Sequence, residues 1–302
     1  MSGGPDSLAL LLLMQAAAPA PFRVATVDHG LRAQSADEAA FVAQVCAGRA
    51  IAHDTLRLAL ARGSAVQERA RAARYAALAQ WARGHGLAAL VVAHHADDQA
   101  ETLLMRLNRG AGVRGLAAMR ARAPTPGAAD LPLLRPLLGW RRAELAAVVA
   151  QAGLVALADP SNADPRHERA RLRAALAAAP WLDPAALATS AAHLAQADDA
   201  LAWVAAQSIA RLRRDGDRLV WQPDVPRVIA LRVLEEVVAR LGRSTPRGSA
   251  LGDWYDRLAA GRTATLAGVR GRPQGEVWSF AAAPPHRPPA AAPAATPAAP
   301  AP

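Results

Sequence analysis

Apolar positions along this chain fall in blocks that alternate between a strand-like and a helix-like period. Leu8-Ala9-Leu10-Leu11-Leu12-Leu13-Met14 is a continuous apolar run, and Phe22-Arg23-Val24-Ala25-Thr26-Val27 reads as a buried strand ending at Asp28-His29-Gly30. Ser35-Ala36-Asp37-Glu38 is a capping box, and the stripe Val42, Val45, Cys46 behind it predicts a helix. Residues 51–58 predict a second strand. Ser64-Ala65-Val66-Gln67 is another capping box, opening a long helix towards His85. Residues 87–93 are apolar without a break, as in a parallel-sheet strand buried on both faces. They lead into a helix whose inward stripe is Ala100, Leu103, Leu104 and Leu107. Alternation of this spacing predicts an α/β fold with a doubly wound, mostly parallel, Rossmann-like sheet, whose ligands sit at the carboxyl ends of the strands.

The second half changes character. A helix begins near Arg142, and residues 166–173 carry four arginines in one helical stretch. Asp183 is an N-cap with Pro184 at the first helical position, and the helix it opens is expected to run to about Arg214. Helices over residues 228–241 and 250–260 predict a small helical C-terminal domain, and residues 263–269 with 276–280 read as a closing hairpin. Beyond Ala281 the chain is nearly all Pro and Ala, a composition that buries no core and predicts a disordered tail. The expected organisation is therefore 1–180, 181–262, 263–280 and a tail over 281–302.

Composition narrows the class. A length of 302 residues suits about two domains, and a single cysteine, Cys46, rules out an internal disulfide framework and a thiolate cluster. The formal charge of +10 is carried wholly by arginine, since no lysine occurs, and points to a polyanionic partner. The polar head before Leu8 has no basic residue and does have Asp6, so it lacks the n-region of a secretory signal, and the apolar run is shorter than the ~20 residues that cross a bilayer. A cytoplasmic protein without a membrane partner is expected.

The candidate chemistry is concentrated in two places. Ser2-Gly3-Gly4-Pro5-Asp6-Ser7 joins two glycines, two hydroxyls and a carboxylate at the start of a helix, where free N–H groups and the dipole favour a phosphate. No lysine follows the glycines, so this is not a Walker A loop. His94-His95-Ala96-Asp97-Asp98-Gln99-Ala100-Glu101-Thr102 places Asp98 and Glu101 on one helical face. Clustered carboxylates repel unless a cation sits among them, either Mg²⁺ or an ammonium group.

The first loop resembles that of the N-type ATP pyrophosphatases. Together with residues 94–102, Val27-Asp28-His29-Gly30-Leu31-Arg32, Asp159-Pro160-Ser161-Asn162, the spacing of Arg71, Arg74 and Tyr75 after Gln67, and Arg109-Gly110-Ala111-Gly112-Val113-Arg114-Gly115-Leu116, it resembles the tRNA(Ile)-lysidine synthetase family over roughly the first 175 residues. The resemblance implies adenylation by ATP of the carbonyl oxygen at carbon 2 of a cytidine in the first anticodon position. Free L-lysine then displaces AMP. It implies isoleucine tRNA with a CAU anticodon as partner, and Ser2, Gly3, Gly4, Pro5, Asp6 and Ser7 as the ATP loop with Mg²⁺ at Asp6. It makes Asp6, Asp98 and Glu101 catalytic, with Asp98 and Glu101 holding the lysine. Arg71, Arg169 and Arg173 would meet the tRNA backbone or ATP phosphates, and His29, His94, His95 and Asp97 would support the site. A homodimer is compatible with the family.

Three departures accompany the likeness. The chain begins at the phosphate loop, so the strand that normally enters it is missing, and a mis-assigned start codon is the expected cause. Ser64 or Ala65 stands where the family has Asn, and Ala170 stands where it usually has Asn. The alternatives are a 2-thiolating tRNA enzyme of the same superfamily, an ammonia-using synthetase sharing the loop, and a non-catalytic tRNA-binding protein. The single cysteine weighs against the first.

Overall fold

The computed structural model describes residues 1–18, 20–28, 30, 35–58, 66–157, 166, 168–244, 246 and 249–284. His29, Ser64, Ala65, the motif at 159–162 and residues 285–302 lie outside them. The chain divides into two units, Met1–Asp198 and Asp199–Pro302. The boundary falls inside a helix, 18 residues beyond the expected one at 180.

In the first unit, α1 (Pro5–Ala17) starts at the phosphate loop, with Gly4 as N-cap and Pro5 at the first helical position. It buries Leu8, Ala9 and Leu11 and packs against α6 (Arg142–Gln151) through Leu145 and Val149. Strands β1 (Val24–Asp28) and β2 (His53–Arg57) pair in parallel, with α2 (Ser35–Ala47) packed on both. Strand β3 (Leu90–Val91) pairs in parallel with β5 (Ala128–Leu134), which also pairs antiparallel with β4 (Arg122–Thr125). Helix α3 (Val66–Gly84) packs against β1, β3 and β5, so both pieces of sheet share one helical cover. The parallel α/β layout expected from the sequence is present. The ladders are shorter than the apolar runs, with β3 reduced to two residues, although Val92 N–H still donates to the Leu134 carbonyl at 3.0 Å just beyond it.

After β3 comes α4 (Ala96–Leu107), which buries most of its first two turns. Helix α5 (Val113–Leu116) closes the glycine-rich loop, and α7 (Glu168–Ala177) carries the arginine run. Helix α8 (Pro184–Ala210) is capped by Asp183, whose carboxylate accepts the N–H groups of Ala185 and Ala186 at 3.1 and 3.3 Å.

Helix α8 ends at Ala210 and does not continue to Arg214. Residues 213–215 form β6 (Arg213–Asp215), which turns through Gly216 and Asp217 into β7 (Arg218–Trp221). The second unit holds the two expected helices, α9 (Arg227–Leu241) and α10 (Ala250–Ala259), and adds a sheet where the sequence promised one hairpin. Strands β8 (Ala264–Leu266), β9 (Val269–Gln274) and β10 (Val277–Ala282) join β6 and β7 in an antiparallel sheet of order β6-β7-β10-β9-β8 among the described residues. Ala267 and Gly268 both take positive φ, 51° and 83°, the two-residue turn that matches strand twist. Alternation along the strands sends Leu219, Trp221, Val269, Trp278 and Phe280 to one face, where they meet Val233, Leu234 and Val237 of α9 and Trp254 and Leu258 of α10.

Candidate active site

The phosphate loop is held open by its glycines. Gly3 has φ +75°, and a Cβ there would stand 2.8 Å from Leu157 Cδ1, so both backbone and space demand glycine. The Gly3 carbonyl accepts the N–H of Leu157 at 3.0 Å, which fastens the loop from outside. Ser7 Oγ donates to the Gly4 carbonyl at 2.9 Å, and the Ser2 and Ser7 hydroxyls lie 3.3 Å apart. All six predicted ATP-loop residues therefore crown the N-terminus of α1, with its dipole behind them.

Asp6 reaches from that loop to the start of α4. His95, wholly buried, is the N-cap of α4 and donates its backbone N–H to Asp98 Oδ2 at 3.1 Å. Its Nε2 stands 3.4 Å from Asp6 Oδ2 and 3.5 Å from Asp98 Oδ2, and its Nδ1 stands 3.5 Å from Asp97 Oδ2. Burial alone would push the imidazole down, but the carboxylates of Asp6, Asp97 and Asp98 outweigh it and raise His95 to about 9. A buried imidazolium thus ties the loop to the acidic helix start. In return, His95 holds Asp6 and Asp97 below the usual carboxylate range against the opposing pull of their burial. Asp97 also accepts the N–H of Arg142 at 2.8 Å, joining α4 to α6.

Glu101 is 1% exposed, yet it is not free. Arg173 of α7 donates through Nε to Glu101 Oε1 at 2.5 Å and through Nη2 to Oε2 at 3.3 Å, and its Nη2 lies 3.7 Å from Asp98 Oδ1. The proposed lysine socket is therefore filled by an internal guanidinium, the cation that the repelling carboxylates required. Its partners are carboxylates, so Arg173 is not among exposed groups waiting for a phosphate. Beside the pair opens a cleft of about 530 Å³, lined by Glu101, Asp97, Arg141 and Arg142 on one side and Leu176, Pro180 and Leu182 on another.

His94 faces a different company. Arg135, 8% exposed, donates from Nε to His94 Nδ1 at 3.2 Å. Burial first, then the positive charges of Arg135, Arg169 and Arg71, press His94 down to about 4 against the opposing charge of Asp98. Arg71 also lies over the Tyr75 ring, 5.2 Å from its centroid. Arg71 and Arg169 are thus gathered near His94, while Arg173 belongs to Glu101. Sequence reasoning passed over Arg135, Arg141 and Arg142. Arg135 was visible as a lone charge between Leu134 and Pro136 in an apolar run.

These features converge where strands β3 and β5 end, and known proteins with the same sequence pattern say whose site this is. Residues 1–179 match the family model of the PP-loop domain. The tRNA(Ile)-lysidine synthase of Novosphingobium aromaticivorans is 60% identical over 289 residues, covering 95% of this chain and 89% of that relative. The chain belongs to the tRNA(Ile)-lysidine synthase family. Its member from Zymomonas mobilis is 42% identical, covering 95% of this chain and 88% of the relative, and the one from Ruegeria pomeroyi is 41% identical, covering 89% and 66%. Among solved structures, the U34-tRNA thiolase NcsA from Methanococcus maripaludis, which contains a [4Fe-4S] cluster, superposes with a TM-score of 0.51 at 16% identity, over 64% of this chain and 69% of that one. That likeness bears on the fold alone.

Proposed function

We propose that this chain uses ATP to adenylate the carbonyl oxygen at carbon 2 of the wobble cytidine in the CAU anticodon of isoleucine tRNA and then joins free L-lysine to that carbon, giving lysidine. The observation that carries this reading is the meeting of Asp6, from a phosphate-shaped loop, with the α4 carboxylates through one buried imidazolium. In the first step the pyrimidine O2 attacks the α-phosphorus and pyrophosphate leaves with the bonding electrons. The N–H groups at the start of α1, with the Ser2 and Ser7 hydroxyls, are placed to hold the departing charge. In the second step the lysine side-chain amine attacks carbon 2, its proton passes to Asp98 or Glu101, and AMP departs with the oxygen. Lysine must displace Arg173 from those carboxylates, one cation for another.

Asp6 Oδ1 is buried without a hydrogen-bond partner among the described residues, which leaves it open to a hard cation. No group of three His, Cys, Asp or Glu side chains that could hold a metal occurs among the described residues. The Asp6 carboxylate would hold an Mg²⁺ that arrives with ATP. Such an ion would supply charge stabilisation to the leaving pyrophosphate. The thiolating alternative is disfavoured by Cys46, which is wholly buried in α2 with its thiol pushed up by burial. No described helix is long and apolar enough to cross a membrane.

The test is incorporation of radiolabelled lysine into a CAU isoleucine tRNA transcript with ATP and Mg²⁺. Asp98→Asn and Glu101→Gln are expected to impair lysine use more than pyrophosphate release. Equal loss of both steps contradicts the assignment of these carboxylates to lysine, and tRNA binding without incorporation favours a binding module.

A further inference from the structure

The two adjacent histidines are held in opposite states, and the hydrogen bond to His94 decides which of its nitrogens carries a proton. A guanidinium has only donors, so Arg135 Nε–H pointing at His94 Nδ1 requires a lone pair there. The proton of the neutral ring must then sit on Nε2. Arg135 is itself immobilised: its Nη1 donates to the Arg120 carbonyl at 2.8 Å, and the Arg120 guanidinium donates to the Ala195 carbonyl at 2.8 Å and to the buried Asp198 carboxylate at 2.6 Å. Parallel pairing of Leu90 with Leu133 and Val91 with Leu134 sets the ends of β3 and β5 side by side, which brings residues 94 and 135 together. His94 Nε2 has no hydrogen-bond partner among the described residues and is not among the sealed polar atoms, so it opens to the site.

We infer that Arg135 is a positioning residue that fixes His94 as the neutral Nε2–H tautomer, so that His94 donates a hydrogen bond to a phosphoryl oxygen and does not serve as a base. The charged groups around it fit that ligand. Arg135, Arg169 and Arg71 supply positive potential on one side, and Asp98 is the opposing negative charge. Burial and those cations press His94 down to about 4, in agreement with a ring that stays neutral at working pH. The phosphoryl oxygen belongs either to ATP or to the tRNA backbone. The inference rests on the lysidine-forming reading for its kinetic arm, but its spectroscopic arm stands apart.

The full chain labelled with ¹⁵N-histidine, with His94 assigned by comparison with His94→Gln, is expected to show the Nε2–H tautomer at pH 6. A cationic ring or the Nδ1–H tautomer there overturns the inference. In Arg135→Met, His94 is expected to titrate nearer the ordinary 6.5; an unchanged, neutral His94 in a folded variant overturns the role of Arg135. Kinetics need no substitution at the buried arginine. The amide of Gln reaches the position of Nε2 and that of Asn does not, so His94→Gln should keep kcat/KM within about fivefold while His94→Asn loses about 10- to 100-fold, the range for a bond to a charged acceptor. A rise in KM for ATP assigns the phosphoryl oxygen to ATP, and a rise in KM for tRNA assigns it to the backbone. Equal losses in both variants point to a base and contradict the inference. If the wild-type chain makes no lysidine at all, the functional reading falls while the tautomer result still decides the role of Arg135.

Discussion

The two units bury different things. The second closes around one continuous apolar core, in which Trp221, Trp278, Trp254 and Phe280 stack edge to face with centroids 5.7 to 6.0 Å apart. The first divides its apolar contacts into several smaller clusters and gives the space between them to ionisable groups: His95 at 0% exposure, Glu101 at 1%, Asp98 at 8% and Arg135 at 8%. Burying charge carries a desolvation penalty that only close counter-charges offset. The first unit accepts that penalty to hold the charges where a reaction needs them, whereas the second has no such demand and packs for stability.

This contrast can be broken most forcefully in the second unit. Phe280→Ala removes a wholly buried ring and is expected to destabilise by about 3–5 kcal/mol in urea unfolding. An effect below about 1 kcal/mol would mean that the core tolerates a cavity there. Next comes Asp6→Asn, expected to reduce lysidine formation by about 10²–10³-fold, the scale of losing one group that stabilises developing charge. Circular dichroism of that variant should show the fold intact, since Asp97 and Asp98 still face His95.

Two further outcomes sharpen the comparison. His95 contributes stability as an imidazolium: its folded value of about 9 lies above the ordinary 6.5, so the contribution is complete below 6.5 and is lost as pH rises through about 9. The unfolding midpoint should therefore fall over that window, and the fall should shrink in His95→Gln. His94 has the opposite sign. Its folded value of about 4 lies below 6.5, so its contribution is present above 6.5 and is lost as pH falls towards 4. The smallest effect is expected at the surface, where Arg240 pairs with Glu236 at 2.7 Å on the solvent face of α9; Arg240→Ala should change stability by less than about 0.5 kcal/mol in the same urea assay.

Where the chain's own chemistry was local, the sequence announced it. Gly3 before Pro5, the capping residue Asp183 ahead of Pro184, and the stripe of Ala100 and Leu103 each specify their element through neighbours a few positions away, although Leu107, expected to continue that stripe, is 56% exposed at the end of α4. What stayed hidden depends on distant partners or on weak patterns. The β4–β5 hairpin pairs Pro124 with Pro132, two residues without an N–H to give, so its segment resembles a loop. The β6–β7 hairpin was marked by Gly216-Asp217, but the alanine-rich helix before it masked the signal. The closure of Glu101 by Arg173 joins residues 72 apart and leaves no local trace. The opposed states of His94 and His95 follow from the carboxylates and guanidiniums brought around them by different elements, so two like neighbours in sequence become unlike in the fold.

The loop at residues 2–7 has a consequence for the order of assembly. Its Gly3 carbonyl is bonded to the N–H of Leu157, and the Leu157 side chain fills the space that a side chain at residue 3 would take. Contacts of such long sequence separation form late, because a large loop must close first. The loop must therefore wait for residue 157, more than 150 positions further along, before its outer tie is made. A chain cut short before residue 157 would thus lack both the hydrogen bond and the side chain that fasten its nucleotide cradle.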